Sequence, residues 1–237
     1  MREITMNGMP FKVEGDPEFW NHIDTWEKYS FGIIDRFANE NAVMVDVGAY
    51  NGVLSIYGSK RFGRVYSLEP DTAAYGHLVK NVKLNDIKNV VCVNSGAGAD
   101  DGVAELYVKN AGDSVSSLID RKMEGYETKS VMKIRTIKLS DFLSYIPDVI
   151  DLIKMDIEGG EVYVIPEMEK HIREYAPTMY ISFHPNWFPE KDKSIEYMAN
   201  LLDECYDIFD VNLTRVDKEY MIKCLYSNEH NFVFVKK

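Results

Sequence analysis

The residues with usable chemistry fall into four short runs, each following an apolar stretch. The first is Val45-Asp46-Val47-Gly48-Ala49-Tyr50-Asn51-Gly52. Gly48 lets backbone pass close to a ligand, and Gly52 allows a tight turn into the helix that follows. The N–H groups at that helix start suit an anion, with Tyr50 and Asn51 in the contacting loop. Asp46 offers an acceptor for a ligand ammonium. The spacing is not the G-x-G-x-x-G of dinucleotide sites, and an ordinary glycine turn is the competing reading. The second run, Ser67-Leu68-Glu69-Pro70-Asp71, lies about 20 residues further on, where a carboxylate can hold both ribose hydroxyls. Alone, Glu69 would equally serve as a helix-capping acid. The two runs together favour an adenosine ligand. In the third, Asn94-Ser95-Gly96-Ala97, small residues leave room for a base, with Asn94 or a backbone N–H at its edge. A glycine-rich turn explains the same residues.

The fourth run, Asp156-Ile157-Glu158-Gly159-Gly160-Glu161, is joined at the next strand end by His184. A histidine at a cleft edge is the first candidate for general base toward a hydroxyl, with Asp156 and Glu158 orienting the substrate or sharing that work. The structural alternatives are a strand-end histidine bonded to backbone, a capping role for Asp156, and a helix-dipole role for Glu161. Asp156, Glu158, His184 and Asn186 also offer oxygen and nitrogen donors for a divalent ion. They lack a compact ligand motif, so a metal is not the favoured expectation.

Strands and helices must alternate to place these runs at one sheet edge. Alternating apolar residues around Asn7-Gly8 predict a hairpin over residues 1–15, and Asp16-Pro17 starts amphipathic helices reaching residue 39. Residues 42–47, 65–68, 90–93, 149–155 and 178–183 read as core strands. Helices are expected at 53–61, 72–85, 161–171 (interrupted by Pro166) and 194–205, with last strands at 208–211 and 232–235. Strands at 104–108 and 132–137 flank a polar stretch, 109–130, too long for a simple connection and expected to be a lid. The alternation predicts an α/β, doubly wound, mostly parallel seven-stranded sheet with helices on both faces. Residues 1–40 form a hairpin and helical cap, and residues 41–237 form the ligand-binding unit.

The whole series resembles one family. Asp46-x-Gly48-Ala49-x-x-Gly52, Glu69-Pro70, Asn81 and Asn85, Thr136 through Leu143, and Asp151 through Glu161 recur in the order of FkbM methyltransferases. The resemblance implies a class I, Rossmann-like methyltransferase sheet, S-adenosylmethionine (SAM) as cofactor, and O-methylation of a sugar, glycan precursor or natural-product hydroxyl. Ser182 stands where the family often carries a glutamate, so no role is drawn from that acid. Ser116-Ser117-Leu118 resembles a family element that folds over the cofactor.

Composition bounds the partners. A net charge of −11 repels phosphate backbones and argues against nucleic acid. The sequence has no long apolar run or signal-like start, and Cys92, Cys205 and Cys224 lack metal spacing. These point to a cytoplasmic protein with a small-molecule or carbohydrate substrate and no membrane insertion, and they leave its oligomeric state open. Two other functions share the pattern: a catalytically silent SAM-binding scaffold, and a nucleotide-cofactor oxidoreductase on a similar fold.

Overall fold

The computed structural model describes residues 1–26, 28–110, 112–120, 128–227 and 230–237. The chain opens with a hairpin, β1 (Arg2–Met6) and β2 (Met9–Val13), turning at Asn7-Gly8 with both residues at positive φ. Three short helices follow, α1 (Pro17–Asn21), α2 (Ile23–Trp26) and α3 (Ser30–Phe37). The Asp16 side chain caps α1 through the Glu18 N–H, with proline in the first turn as expected.

The repeating part runs β3 (Asn39–Val47), α4 (Val53–Gly58), β4 (Phe62–Leu68), α5 (Thr72–Leu84) and β5 (Val90–Val93). Next come β6 (Gly96–Gly98), β7 (Gly102–Val108), β8 (Ser130–Lys138) and α6 (Leu139–Ser144). The chain then forms β9 (Leu152–Asp156), α7 (Glu161–Glu167), α8 (Glu169–Tyr175) and β10 (Thr178–Ser182). Pro166, with no N–H to donate, separates α7 from α8 at Met168. After a 3-10 turn at Pro185–Trp187 come α9 (Lys191–Cys205), β11 (Tyr206–Phe209), β12 (Arg215–Val216), α10 (Lys218–Leu225) and β13 (Asn231–Lys236).

The main sheet has the order β12-β11-β13-β10-β9-β3-β4-β5. β10, β9, β3, β4 and β5 are parallel, whereas β13 is antiparallel to β10 and β11. Strand order reverses between β3 and β9, where doubly wound sheets open a ligand crevice. The architecture is the expected one, with two differences. The two-residue β12 makes eight strands rather than seven. The glycine turn at 96–98 is itself a strand, pairing with β8 beside β7 in a separate three-stranded sheet. Hydrophobic periodicity does not reveal a strand of only three small residues.

Strand alternation sends Val43, Val45 and Val47 of β3 into one core and Ala42 and Met44 into the other. The second core also contains the hairpin and the first helices, including Met6, Phe11, Trp20 and Ile34. Asp46 continues the face of Met44, and Lys154 that of Leu152. Both charges therefore point toward the N-terminal segment, side by side in register. No helix among the described residues is long and apolar enough to cross a membrane.

Asn81 of α5 and Asn85 at its C-terminal cap, four residues apart, fasten the hairpin. Asn81 accepts from the Glu14 N–H at 2.7 Å and donates to the carbonyls of Glu14 and Asn51; Asn85 accepts from the Lys12 N–H and donates to the Lys12 carbonyl. Each amide thus acts as a strand edge toward alternate residues of the hairpin. Asn81 is fully buried, so Asn81→Leu strands buried backbone groups. The expected loss is about 2–3 kcal/mol, read as a fall in Tm of roughly 4–10 °C by calorimetry. An unchanged Tm would show that the clamp contributes nothing.

Candidate active site

The carboxyl ends of β3, β4 and β9 surround a cleft of about 540 Å³ that continues into a more polar lobe of about 670 Å³. Gly48, Tyr50, Asp156 and Glu158 line both. The floor depends on Gly48: at φ +80, a Cβ there would fall 1.9 Å from the Asp156 carbonyl oxygen. The Gly48 and Ala49 N–H groups donate to the Leu68 carbonyl, tying this loop to the end of β4.

Glu69, Pro70 and Ala97 line the first part of the cleft. Glu69 is buried, and its two oxygens accept from the backbone N–H groups of Tyr50 at 2.7 Å and Asp71 at 2.8 Å. Burial raises its pKa to about 8, against the pull of those two N–H groups. Each oxygen keeps lone pairs for a further donor.

Asp46 lines the polar lobe and is fully buried. Its Oδ2 accepts from the Ser55 hydroxyl at 2.6 Å, while Oδ1 has no hydrogen-bond partner and lies 3.7 Å from Lys154 Nζ. Burial raises the Asp46 pKa, and Lys154 and Ser55 oppose the shift. The same ammonium lies 3.8 Å from Asp156 Oδ2 and donates to the Gly48 carbonyl at 3.4 Å. Lys154 lies inside the Asp151-to-Glu161 run, where residue type alone assigns it no role. Its position two residues before Asp156, on one face of a strand, was the available signal.

His184 sits behind Asp156 and Glu158. Its Nε2 is 3.7 Å from Asp156 Oδ1 and 3.5 Å from Glu158 Oε1, and its Nδ1 is 3.4 Å from Glu161 Oε1. Glu161 is fully buried and accepts from the N–H groups of Ile157 and Gly159. Burial alone would lower the His184 pKa, but the hydrogen bond to Glu161 and the charges of Glu161, Asp156 and Glu158 outweigh it and hold the pKa near about 10. The three carboxylates favour the protonated ring, and a general base at His184 would have to give up that proton before accepting one from a hydroxyl.

Three further expected residues stand outside the cleft lining. Asn94 Nδ2 donates to the carbonyls of Glu69 and Pro70 and so supports that turn. Gly52, at φ +88, packs a Cβ-free backbone against Leu78 at the start of α4. Asn51 is buried, its carbonyl bound by Asn81, and its side-chain amide has no hydrogen-bond partner.

The stretch expected as a lid is described except for residues 111 and 121–127, which lie outside the described residues. Ser114, Ser116 and Leu118 line the cleft. Ser117 fastens this strap: its hydroxyl donates to the Glu158 carbonyl at 2.6 Å, and its backbone exchanges two bonds with Tyr107. On the other side, Phe188 is buried in the core, and Trp187 is half-buried against Gly159.

The family model described as the Methyltransferase FkbM domain matches residues 46–209, and the chain belongs to that family. The protein named Methyltransferase sdnD from Sordaria araneosa is 26% identical over 198 residues, covering 71% of this chain and 74% of that protein. A solved FkbM methyltransferase from Methylobacillus flagellatus KT is 19% identical with a TM-score of 0.49; the match covers 82% of this chain but 43% of that one. A solved rRNA methylase from Streptococcus thermophilus, 13% identical, matches at a TM-score of 0.50 over 88% of this chain and 93% of that one, a likeness of fold. Membership sets the chain among methyltransferases and away from the oxidoreductase alternative.

The tightest constraint at this site is Gly48. Gly48→Ala adds a left-handed alanine and a collision with the Asp156 carbonyl, and is expected to lower stability by about 3 kcal/mol. Urea unfolding monitored by circular dichroism measures this; a midpoint equal to wild type would mean the loop has room that the geometry denies.

Proposed function

We propose that the protein is a SAM-dependent O-methyltransferase acting on a hydroxyl of a sugar, glycan precursor or natural-product small molecule. The observation that carries the cofactor assignment is the pair of buried acids at adjacent strand ends. Asp46 keeps an oxygen without a hydrogen bond in the polar lobe, and Glu69 lines the other end of the cleft. Asp46 would hold the amino end of SAM and Glu69 the ribose hydroxyls. Gly96, Ala97, Leu106 and Leu118 would wall the base with small and apolar surface. Bound there, SAM supplies a methyl group on an already activated sulfonium.

The chain's own contribution is to hold the acceptor. Asp156 and Glu158 line both parts of the cleft and offer oxygens to a hydroxyl. A sugar hydroxyl is very weakly acidic, so an acceptor for its proton must be aligned as the new bond forms. His184, on the far side of these carboxylates, fixes their positions. The Ser117 strap limits access of water.

A neutral, hydroxyl-bearing acceptor suits a lobe holding Asp46, Asp156, Glu158 and Lys154. The net charge of −11 disfavours nucleic acid. In this reading residues 1–40 cap the methyltransferase unit, and the setting is cytoplasmic, where cysteines outside disulfides stay reduced.

Isothermal titration tests the cofactor site. Asp46→Ala and Glu69→Ala should each weaken SAM binding by about tenfold or more, the loss of a charge-assisted hydrogen bond. Unchanged affinity in both variants would refute the assignment. SAM binding without turnover across a panel of hydroxylated acceptors would instead favour a silent scaffold. A pH series gives a second check. The pKa of Glu69 is raised, so the free protein takes up a proton below about pH 8 that ribose binding must displace. Affinity should fall as pH drops from about 8 to about 6, by up to roughly tenfold per unit, and level off above 8. A flat profile in wild type would remove Glu69 from the ribose site.

A further inference from the structure

Asp156 ends β9, Glu158 lies in the loop after it, and His184 is the second residue after β10. Each presents one donor atom, and all three atoms lie within 4.8 Å of one another. We propose that these three side chains form a divalent-cation site, of the octahedral type that Mn²⁺ takes, at the acceptor end of the cleft.

The spacing fits one ion. Donors about 2.1 Å from a common metal lie roughly 3.0–3.4 Å apart at octahedral or tetrahedral angles. The observed separations from His184 Nε2 are 3.7 Å to Asp156 Oδ1 and 3.5 Å to Glu158 Oε1. Side-chain shifts of about half an ångström would close the set. Asp156 is arranged for one-oxygen binding, because its Oδ2 faces Lys154.

A second, independent observation concerns the far side of the histidine. A metal-bound imidazole almost always gives its other ring nitrogen to a carboxylate or carbonyl, which fixes the tautomer and aims the ligand nitrogen. Glu161 does this for His184. Its carboxylate faces Nδ1 at 3.4 Å and is itself fixed by the Ile157 and Gly159 N–H groups at 3.2 and 3.1 Å. A fully buried acid with no access to solvent is thereby committed to orienting one ring, and Nε2 is left toward the two carboxylates. An incoming ion displaces the proton on Nε2, and the two carboxylates then supply two negative charges, which a divalent ion balances. Mixed oxygen and imidazole donors favour Mn²⁺ over Ca²⁺, and the lack of a thiolate argues against a structural zinc site.

The three donors are partly exposed, at 32%, 18% and 21% of side-chain surface for Asp156, Glu158 and His184. The ion's remaining positions therefore face the cleft that Asp156 and Glu158 line. A hydroxyl bound there would lose its proton to a neighbouring water more readily than a free one. This last role rests on the O-methylation reading, whereas binding of the ion does not.

The probe is Mn²⁺ alone, added to chelator-treated full-length protein, with free ion counted by electron paramagnetic resonance. Wild type should take up one Mn²⁺ per chain, saturating below about millimolar concentration. Glu158→Gln and His184→Ala should each weaken it at least about tenfold, with circular dichroism confirming that both remain folded. If His184→Ala does not fold, Glu158→Gln alone decides. Glu69→Gln, which changes none of the three donors, should bind Mn²⁺ as wild type does while losing SAM affinity. Absence of saturable binding in wild type, or equal binding in Glu158→Gln, overturns the site. Mn²⁺ binding in a protein that fails to bind SAM would sustain the metal site and sink the cofactor reading. SAM binding without Mn²⁺ binding would do the reverse.

Discussion

One ammonium held between two carboxylates at the ends of neighbouring parallel strands organises the cleft. Lys154 lies beside Asp46 and Asp156 with only 6% of its surface exposed. Removing either sign of charge would leave an uncompensated ion in a poorly solvated place, which is far more costly than losing a surface pair. The register of β3 on β9 sets Asp46 opposite Lys154, and the chain then needs glycine at 48 so that the Asp156 carbonyl can approach. Charge pairing and backbone contact therefore depend on one another. A slip of one residue would send Asp46 and Lys154 into the opposite apolar core.

The walls are built around that floor by elements distant in sequence. Asn81 and Asn85 hold the N-terminal hairpin against α5, and the same Asn81 amide grips the loop that carries Gly48 and Tyr50. Phe19 of α1 meets the Tyr50 ring edge-on at 4.9 Å, so the first helix touches the cleft directly. The strap around Ser117 closes the other side by bonding to the Glu158 carbonyl. Glu158 itself has φ +55, a conformation that non-glycine residues adopt sparingly, and it is held there between the strap and Gly159.

Much of this was legible in the sequence, because strand–helix alternation with acids and glycines after strands has few structural solutions. Asp46, Gly48, Glu69 and Asp156 were readable from position alone: each ends a strand of the same sheet edge or follows one. What escaped depends on long-range contacts. Asn94 Nδ2 holds the Glu69-Pro70 turn 24 to 25 residues away, a tie that local sequence does not display. His184 has the type and place of a base, and the three acids that favour its protonated form are brought together only by the fold. The Gly96–Gly98 strand was hidden since three small residues have no hydrophobic period, and its partner β8 lies beyond the 109–130 stretch. Lys154 was visible but unread, its role set by neighbours across the sheet.

A cleft with a buried acid at each end, a glycine floor and a histidine among three carboxylates is the geometry on which the proposed cofactor site rests in this FkbM-family chain. The most direct test is a crystal structure of the protein with S-adenosylhomocysteine. The account predicts ribose hydroxyls on the Glu69 carboxylate, the amino group at Asp46 Oδ1, and the sulfur facing Asp156 and Glu158. Density for the ligand elsewhere, or a ribose turned away from Glu69, would contradict it.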